Sequence, residues 1–200
     1  MTKTDTKVVR LNEDGLDDIK VFGFWIYLMT DLLIFSVLFA IFIVLHDSTF
    51  GGPSGRELFD VKFALAETLI LLTSSFTCTL AMLAVHGKHK KPAIIWLAVT
   101  FALGVLFLVL EISEFSKFID KGASWQRSGF LSSYFTLVGT HGLHISIGLL
   151  WMIVAMFRIG LRPLLEHSVS RLLRMALFWH FLDFVWIFIF TVVYGMEHLL

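Results

Sequence analysis

One cysteine and three prolines in 200 residues set the first limits on this chain. The lone Cys78 excludes an internal disulfide and any thiolate-built metal centre, and it reads as a small buried hydrophobe. Pro53, Pro92 and Pro163 fall in connections or in a first helical turn, where the missing N–H is tolerated. Charge is scarce too, at 16% Asp, Glu, Lys and Arg against about 25% in soluble domains. The 16 basic and 16 acidic residues cancel, which gives no reason to expect nucleic acid as a partner. There is no internal repeat, no low-complexity tract and no sign of a second domain.

What fills the chain instead is apolar, 57% of it hydrophobic with 21 Phe. Five segments reach the roughly 20 apolar residues that a bilayer crossing takes. They lie near 22–46, 62–85, 92–114, 130–157 and 175–196, and none contains a proline beyond its first turn. The pattern predicts an all-α membrane protein, a single bundle of five transmembrane helices over residues 22–196. "GGPSG" (Gly51 to Gly55) is a turn-rich loop and "HGKHKKP" a short basic link. The opening "MTKTDTKVVRLNEDGLDDIK" lacks the basic start, apolar core and cleavage site of a signal peptide. Residues 1–21 therefore read as a polar tail, with the first apolar segment kept as a membrane anchor.

Lys and Arg set the direction of the bundle. The tail, the loop after span 2 and the loop after span 4 carry 4, 3 and 4 of them, and the other two loops carry 2 and 3. The excess predicts a cytoplasmic N-terminus and a periplasmic C-terminus. Trp25, Trp96, Trp151 and Trp179 all fall within about two turns of the predicted cytoplasmic boundary, as interfacial anchors would.

Ionisable groups inside such spans are costly and count as functional candidates. They are Asp31 in span 1, Glu67 in span 2, Glu111 and Glu114 at the end of span 3, His141 and His144 in span 4, and His180 and Asp183 in span 5. "EISE", "HGLH" and "HFLD" each set two of them at i and i+3, on one side of a helix. At ~1.5 Å per residue, Asp31 and Asp183 lie about 12–14 Å above the cytoplasmic boundary. Glu67, Glu111 and Glu114 lie towards the opposite face.

Two tiers so far apart do not suit a shared di-metal site. Counted the same way, His144 stands roughly 20 Å from the cytoplasmic end of its span and His180 about 8 Å, which does not suit bis-histidine haem. The paired Gly/Pro helix breaks of a transporter are missing. A proton relay through the acids stays open beside plain interhelical hydrogen bonding. On span 4, Gly139, Gly142 and Ser146 gather on one face, predicting close helix packing there.

The same residues carry a family resemblance. "GTHGLHISIG", "FWHFLDFVWIFIFTVVY", "GFWIYLMTDLLIFSVLFA" and "EISEF" with "RSGFLSSYF" resemble, in order, the helices of subunit III of haem–copper respiratory oxidases. The likeness runs from about Val21 to Tyr194 and is nearest to the bo-type ubiquinol oxidase branch, with menaquinol and cytochrome c oxidase branches as alternatives. It implies a non-catalytic subunit of a proton-pumping quinol:oxygen oxidoreductase complex in a bacterial inner membrane, supporting assembly, stability and bound phospholipid. It further implies subunits I, II and IV as partners, haem and copper in subunit I, and no cofactor or metal in this chain. Asp31 takes the position of a carbodiimide-reactive carboxylate, usually Glu, in cytochrome c oxidase relatives. An independent cytochrome using His141, His144 or His180, and a proton-conducting channel, are the readings from other classes.

Overall fold

A computed structural model describes residues 3–49, 61–161 and 166–195, with side chains from residue 19 onward and from 169 in the last segment. Every element in it is helical: α1 Lys3–Leu45, α2 Val61–His86, α3 Lys90–Asp120, α4 Gly129–Leu161 and α5 Glu166–Ile189, continued by a π-helical segment, Phe190–Tyr194. Each contains a stretch long and apolar enough to cross a membrane. Helices are what such sequence must form, since a bilayer offers no partner for a free N–H or C=O. α1 continues upstream through the polar tail as far as Lys3. The "GGPSG" loop and Pro53 and Pro163 lie outside the described residues.

Helix ends follow local chemistry. At the end of α2, Lys88 takes a positive φ of 58°, with Lys88 N–H donating to the Val85 carbonyl and His89 N–H to that of Ala84. α3 ends in the same two-bond pattern, with Gly122 at φ 74° and its neighbour Ala123 donating to Phe118. Such a cap needs the left-handed backbone that glycine adopts at no steric cost. Ser128 opens α4, its Oγ accepting from Leu131 N–H at 3.1 Å. Pro92 sits in the first turn of α3.

The helices form a closed ring and one outlier. α2 packs on α3, α3 on α4, α4 on α5, and α5 back on α2; α1 lies outside, in the angle between α4 and α5. The end holding 46–49, 121–128 and Tyr194 is called distal below, and the end holding 87–89 proximal. Phe130 N–H donates to Ser48 O, which ties the top of α1 to the start of α4.

Trp179 on α5 is the centre of the ring. A Cβ on Gly104 (α3) would come within 2.7 Å of its ring, and one on Gly148 (α4) within 3.2 Å. Its Nε1–H donates to Ser74 Oγ on α2 at 3.0 Å. One indole thus touches all four ring helices, and it is 1% exposed. This corrects its expected place as an interfacial anchor: the indole spans the gap that two glycines leave. Trp25 and Trp96 are exposed and Trp151 is half-buried. Two turns along α5, Trp186 repeats the motif, donating to Thr68 Oγ1 on α2 at 3.1 Å. Cys78 is fully buried, as its size and polarity favour.

Candidate functional site

The distal site is assembled from every helix of the ring. Glu67 comes from α2, Glu111 and Glu114 from successive turns of α3, Tyr134 from α4 and Tyr194 from the π-helical end of α5. The three carboxyls are 0%, 2% and 4% exposed, so they are closed off from bulk water. Tyr134 and Tyr194 each donate to Glu114 Oε2 at 3.2 Å, and their hydroxyls stand 3.5 Å apart. The π-helical turn carries one more residue per turn than the α-helix before it, and Tyr194 is at its end. Such turns recur at functional positions.

Glu111 points at α4, where Gly142 gives it room. A Cβ there would come within 2.9 Å of Oε1 and 3.1 Å of Oε2. Both oxygens of Glu111, and both of Glu67, have no hydrogen-bond partner among the described residues. Glu67 and Glu114 are the acidic neighbours of Glu111. Lys117, one turn beyond Glu114, is exposed and rests its ammonium over the Phe63 ring at 4.7 Å.

Below the acids stands His141, fully buried in an aromatic box. Its ring stacks on Trp186 (5.3 Å between centroids, 29°) and takes the edges of Phe107 at 6.0 Å and Phe35 at 6.4 Å. Neither ring nitrogen hydrogen-bonds among the described residues. His144, one turn on, faces α1: Nε2 lies 3.8 Å from Asp31 Oδ2 and Nδ1 is 2.8 Å from the Thr140 carbonyl. At 3.8 Å the carboxylate and imidazole are close enough to attract and too far to share a hydrogen bond. On the α2–α5 seam, His180 Nδ1 is bonded to Ser75 Oγ, and Ser75 also lies beside Asp183.

The structure therefore joins Glu67, Glu111 and Glu114 in one cluster, pairs Asp31 with His144, and sets His180 and Asp183 apart on a third seam. Residue counting puts Asp31 and His144 about 6–8 Å apart in height. They meet all the same, so equal counts from the predicted span ends do not mark equal heights in the bundle. The small-residue face of α4 needs correction. Gly142 is in close contact, whereas among the described residues nothing lies within 4 Å of a Cβ on Gly139, and Ser146 spends its hydroxyl on the Gly142 carbonyl. Close approach belongs instead to Gly142 and Gly148. Tyr134, Tyr194, Thr68, Ser74 and Ser75 escape a reading by sequence, because each hydrogen-bonding partner on another helix lies 20 to 118 residues away. Among the described residues, no group of three or more His, Cys, Asp or Glu is arranged to hold a metal ion.

Residues 12–197 match the sequence family described as cytochrome c oxidase subunit III. The chain is 54% identical over 176 residues to the cytochrome bo(3) ubiquinol oxidase subunit 3 of Pseudomonas aeruginosa, covering 88% of this chain and 84% of that one. It is 42% identical over 178 residues to the quinol oxidase subunit 3 of Bacillus subtilis, covering 89% and 87%. A protein of Bacillus sp. strain PS3 named cytochrome c oxidase subunit 3 is 42% identical over 177 residues, covering 88% and 86%.

Proposed function

The chain belongs to the cytochrome c oxidase subunit III family, and we infer from that membership how its helix bundle serves a terminal oxidase. It is subunit III of a quinol oxidase, a multi-pass protein of a bacterial inner membrane that assembles with other oxidase subunits. The observation that carries this is the match over residues 12–197, which takes in all five membrane-crossing stretches.

Within that complex the subunit's work is mechanical and electrostatic. Ubiquinol is the electron donor of the complex, oxygen the acceptor, and the complex pumps protons; the partners of this chain are subunits I, II and IV. Haem and copper belong to subunit I. The ring of α2 to α5, pinned at Trp179, offers subunit I a rigid wall. The N-terminus is cytoplasmic, which puts the acid cluster on the periplasmic side. Phospholipid fits the groove of about 340 Å³ between α1 and α5, lined by Phe35, Phe39, Phe184 and Phe188, which is wide enough for part of an acyl chain.

A mild-detergent affinity purification of the tagged chain, with partners identified by mass, tests this reading. Recovery of a large haem-bearing subunit with two smaller ones is the expected result. A stable, monodisperse chain recovered alone would overturn it.

A further inference from the structure

The distal cluster is more than a set of acids that happen to meet. Three buried carboxyls lie within electrostatic reach of one another, and among the described residues only Glu114 is supplied with donors, the hydroxyls of Tyr134 and Tyr194. That makes Glu114 the member suited to carry charge. Glu67 and Glu111 are as deeply buried and have four carboxyl oxygens without a partner among the described residues. Two further charges there, beside a third of the same sign, would bear both desolvation and mutual repulsion. The charged groups facing them are acids from their own helices. The cation in range, Lys117, stands exposed over Phe63, and the imidazole of His141 is held among rings.

A protonated carboxyl is both donor and acceptor, so a pair of them needs partners of both kinds. Water supplies these where a buried space is polar enough to give it two to four hydrogen bonds. Here the lining offers six carboxyl oxygens and two phenols, and the missing side chain at Gly142 lets the Glu111 carboxyl lie close against α4. Glu67 is six residues from the start of α2 and Glu114 six from the end of α3. That is about 9 Å from the distal ends of the helices, near enough for exchange with the surface.

We propose that this cluster is a proton-loaded water site: Glu67 and Glu111 each hold a proton, and water molecules bridge them to the Tyr134–Glu114–Tyr194 triad. The ligand class is water with exchangeable protons. The site stands on the geometry of the bundle, whatever partners the chain assembles with.

The test is infrared spectroscopy of the assembly that the tagged chain brings down from membranes, in lipid nanodiscs, as wild type, Glu67→Gln and Glu111→Gln. Glutamine is a neutral near-isostere of a protonated glutamate, so both variants are expected to be recovered at wild-type yield. Each should lose one carbonyl band of a protonated carboxyl, a band that in the wild type shifts in D2O. Both should also change the O–H bands that shift in oxygen-18 water. Unchanged carboxyl bands in both variants would show the two acids ionised and overturn the proposal. So would a loss of carboxyl bands with no change in the water bands. If neither Gln variant can be recovered, the fold requires negative charge at these positions, and the proposal fails equally. None of these outcomes depends on which partner subunits are recovered.

Discussion

At the distal end, Glu67, Glu111 and Glu114 come from two helices of the ring and are closed over by tyrosines from the other two. Halfway down, Asp31 comes from α1 alone and meets His144 at 3.8 Å, with Phe35 and Phe178 against the imidazole. Both are buried polar groups in a bilayer-spanning bundle, yet they hold different things. The distal cluster cross-links helices that already surround one another around Trp179. The Asp31 contact joins the outlying helix to the ring, where α1 otherwise offers apolar surface that lipid would cover as well. In lipid, apolar contact by itself gives little drive for association, so close packing and a few polar contacts decide which helices stay together. Damage to the ring should therefore unfold the subunit, and damage at Asp31 should loosen one helix.

The largest effect is expected where backbone meets backbone across the indole. Gly104→Ala places a methyl 2.7 Å from Trp179 Cη2 and 2.9 Å from Leu149 Cδ2, both inside the closed ring. A rigid indole cannot swing aside as a chain end can, so the cost is that of overpacking, about 1–3 kcal/mol. It should appear as a lower midpoint in detergent-induced unfolding followed by helical signal. A midpoint equal to wild type would mean that the ring is not the stable unit. Gly142→Ala should cost less, about 1 kcal/mol. The methyl would meet Glu111 Oε1 at 2.9 Å, and a carboxyl at the end of a side chain can turn. Its added signature would be a changed Glu111 carboxyl band, which Gly104→Ala should leave alone.

How much of this could be read from the sequence follows from what lipid hides. The five spans are legible because hydropathy reports the bilayer directly, and the pairing of Glu111 with Glu114 and of His141 with His144 is legible because i, i+3 is a local rule. Which helix is the outlier is not legible. Mean hydropathy does not single it out: α1 reaches 2.7 but α3, a member of the ring, reaches 2.8, as lipid and protein interior select the same residues. For the same reason the position of Trp179 along its span points to an interface, when what locates it is the absence of side chains at Gly104 and Gly148 on two other helices. Gly139 misleads in the opposite way. A helical wheel puts it beside Gly142, but the wheel cannot say which face a neighbour occupies. The tyrosines of the distal cluster read as two more aromatics in an aromatic-rich chain until the fold brings them to Glu114 from 20 and 80 residues away.

The smaller effects sharpen the contrast between ring and outlier. Asp31→Asn replaces a carboxyl that faces His144 without hydrogen-bonding it, so a loss of about 0.6 kcal/mol is the scale set by polar contacts in membranes. The unfolding midpoint of the ring should hardly move. What should change is the docking of α1, read as a lower yield of disulfide cross-linking between cysteines placed at Phe24 on α1 and Trp151 on α4, whose rings meet at 5.9 Å, in a Cys78→Ala background. A large fall in the midpoint would make α1 part of the ring after all. Gly139→Ala should do least. Nothing lies within 4 Å of the new methyl, so the isolated subunit should stay within about 0.5 kcal/mol of wild type. That near-zero result makes the variant useful in the assembled oxidase. A methyl that is harmless to the subunit but lowers recovery of its partners would place another helix against α4 at Gly139. Equal recovery would leave that face of α4 to lipid, and the contact with the rest of the oxidase would have to be sought on another helix.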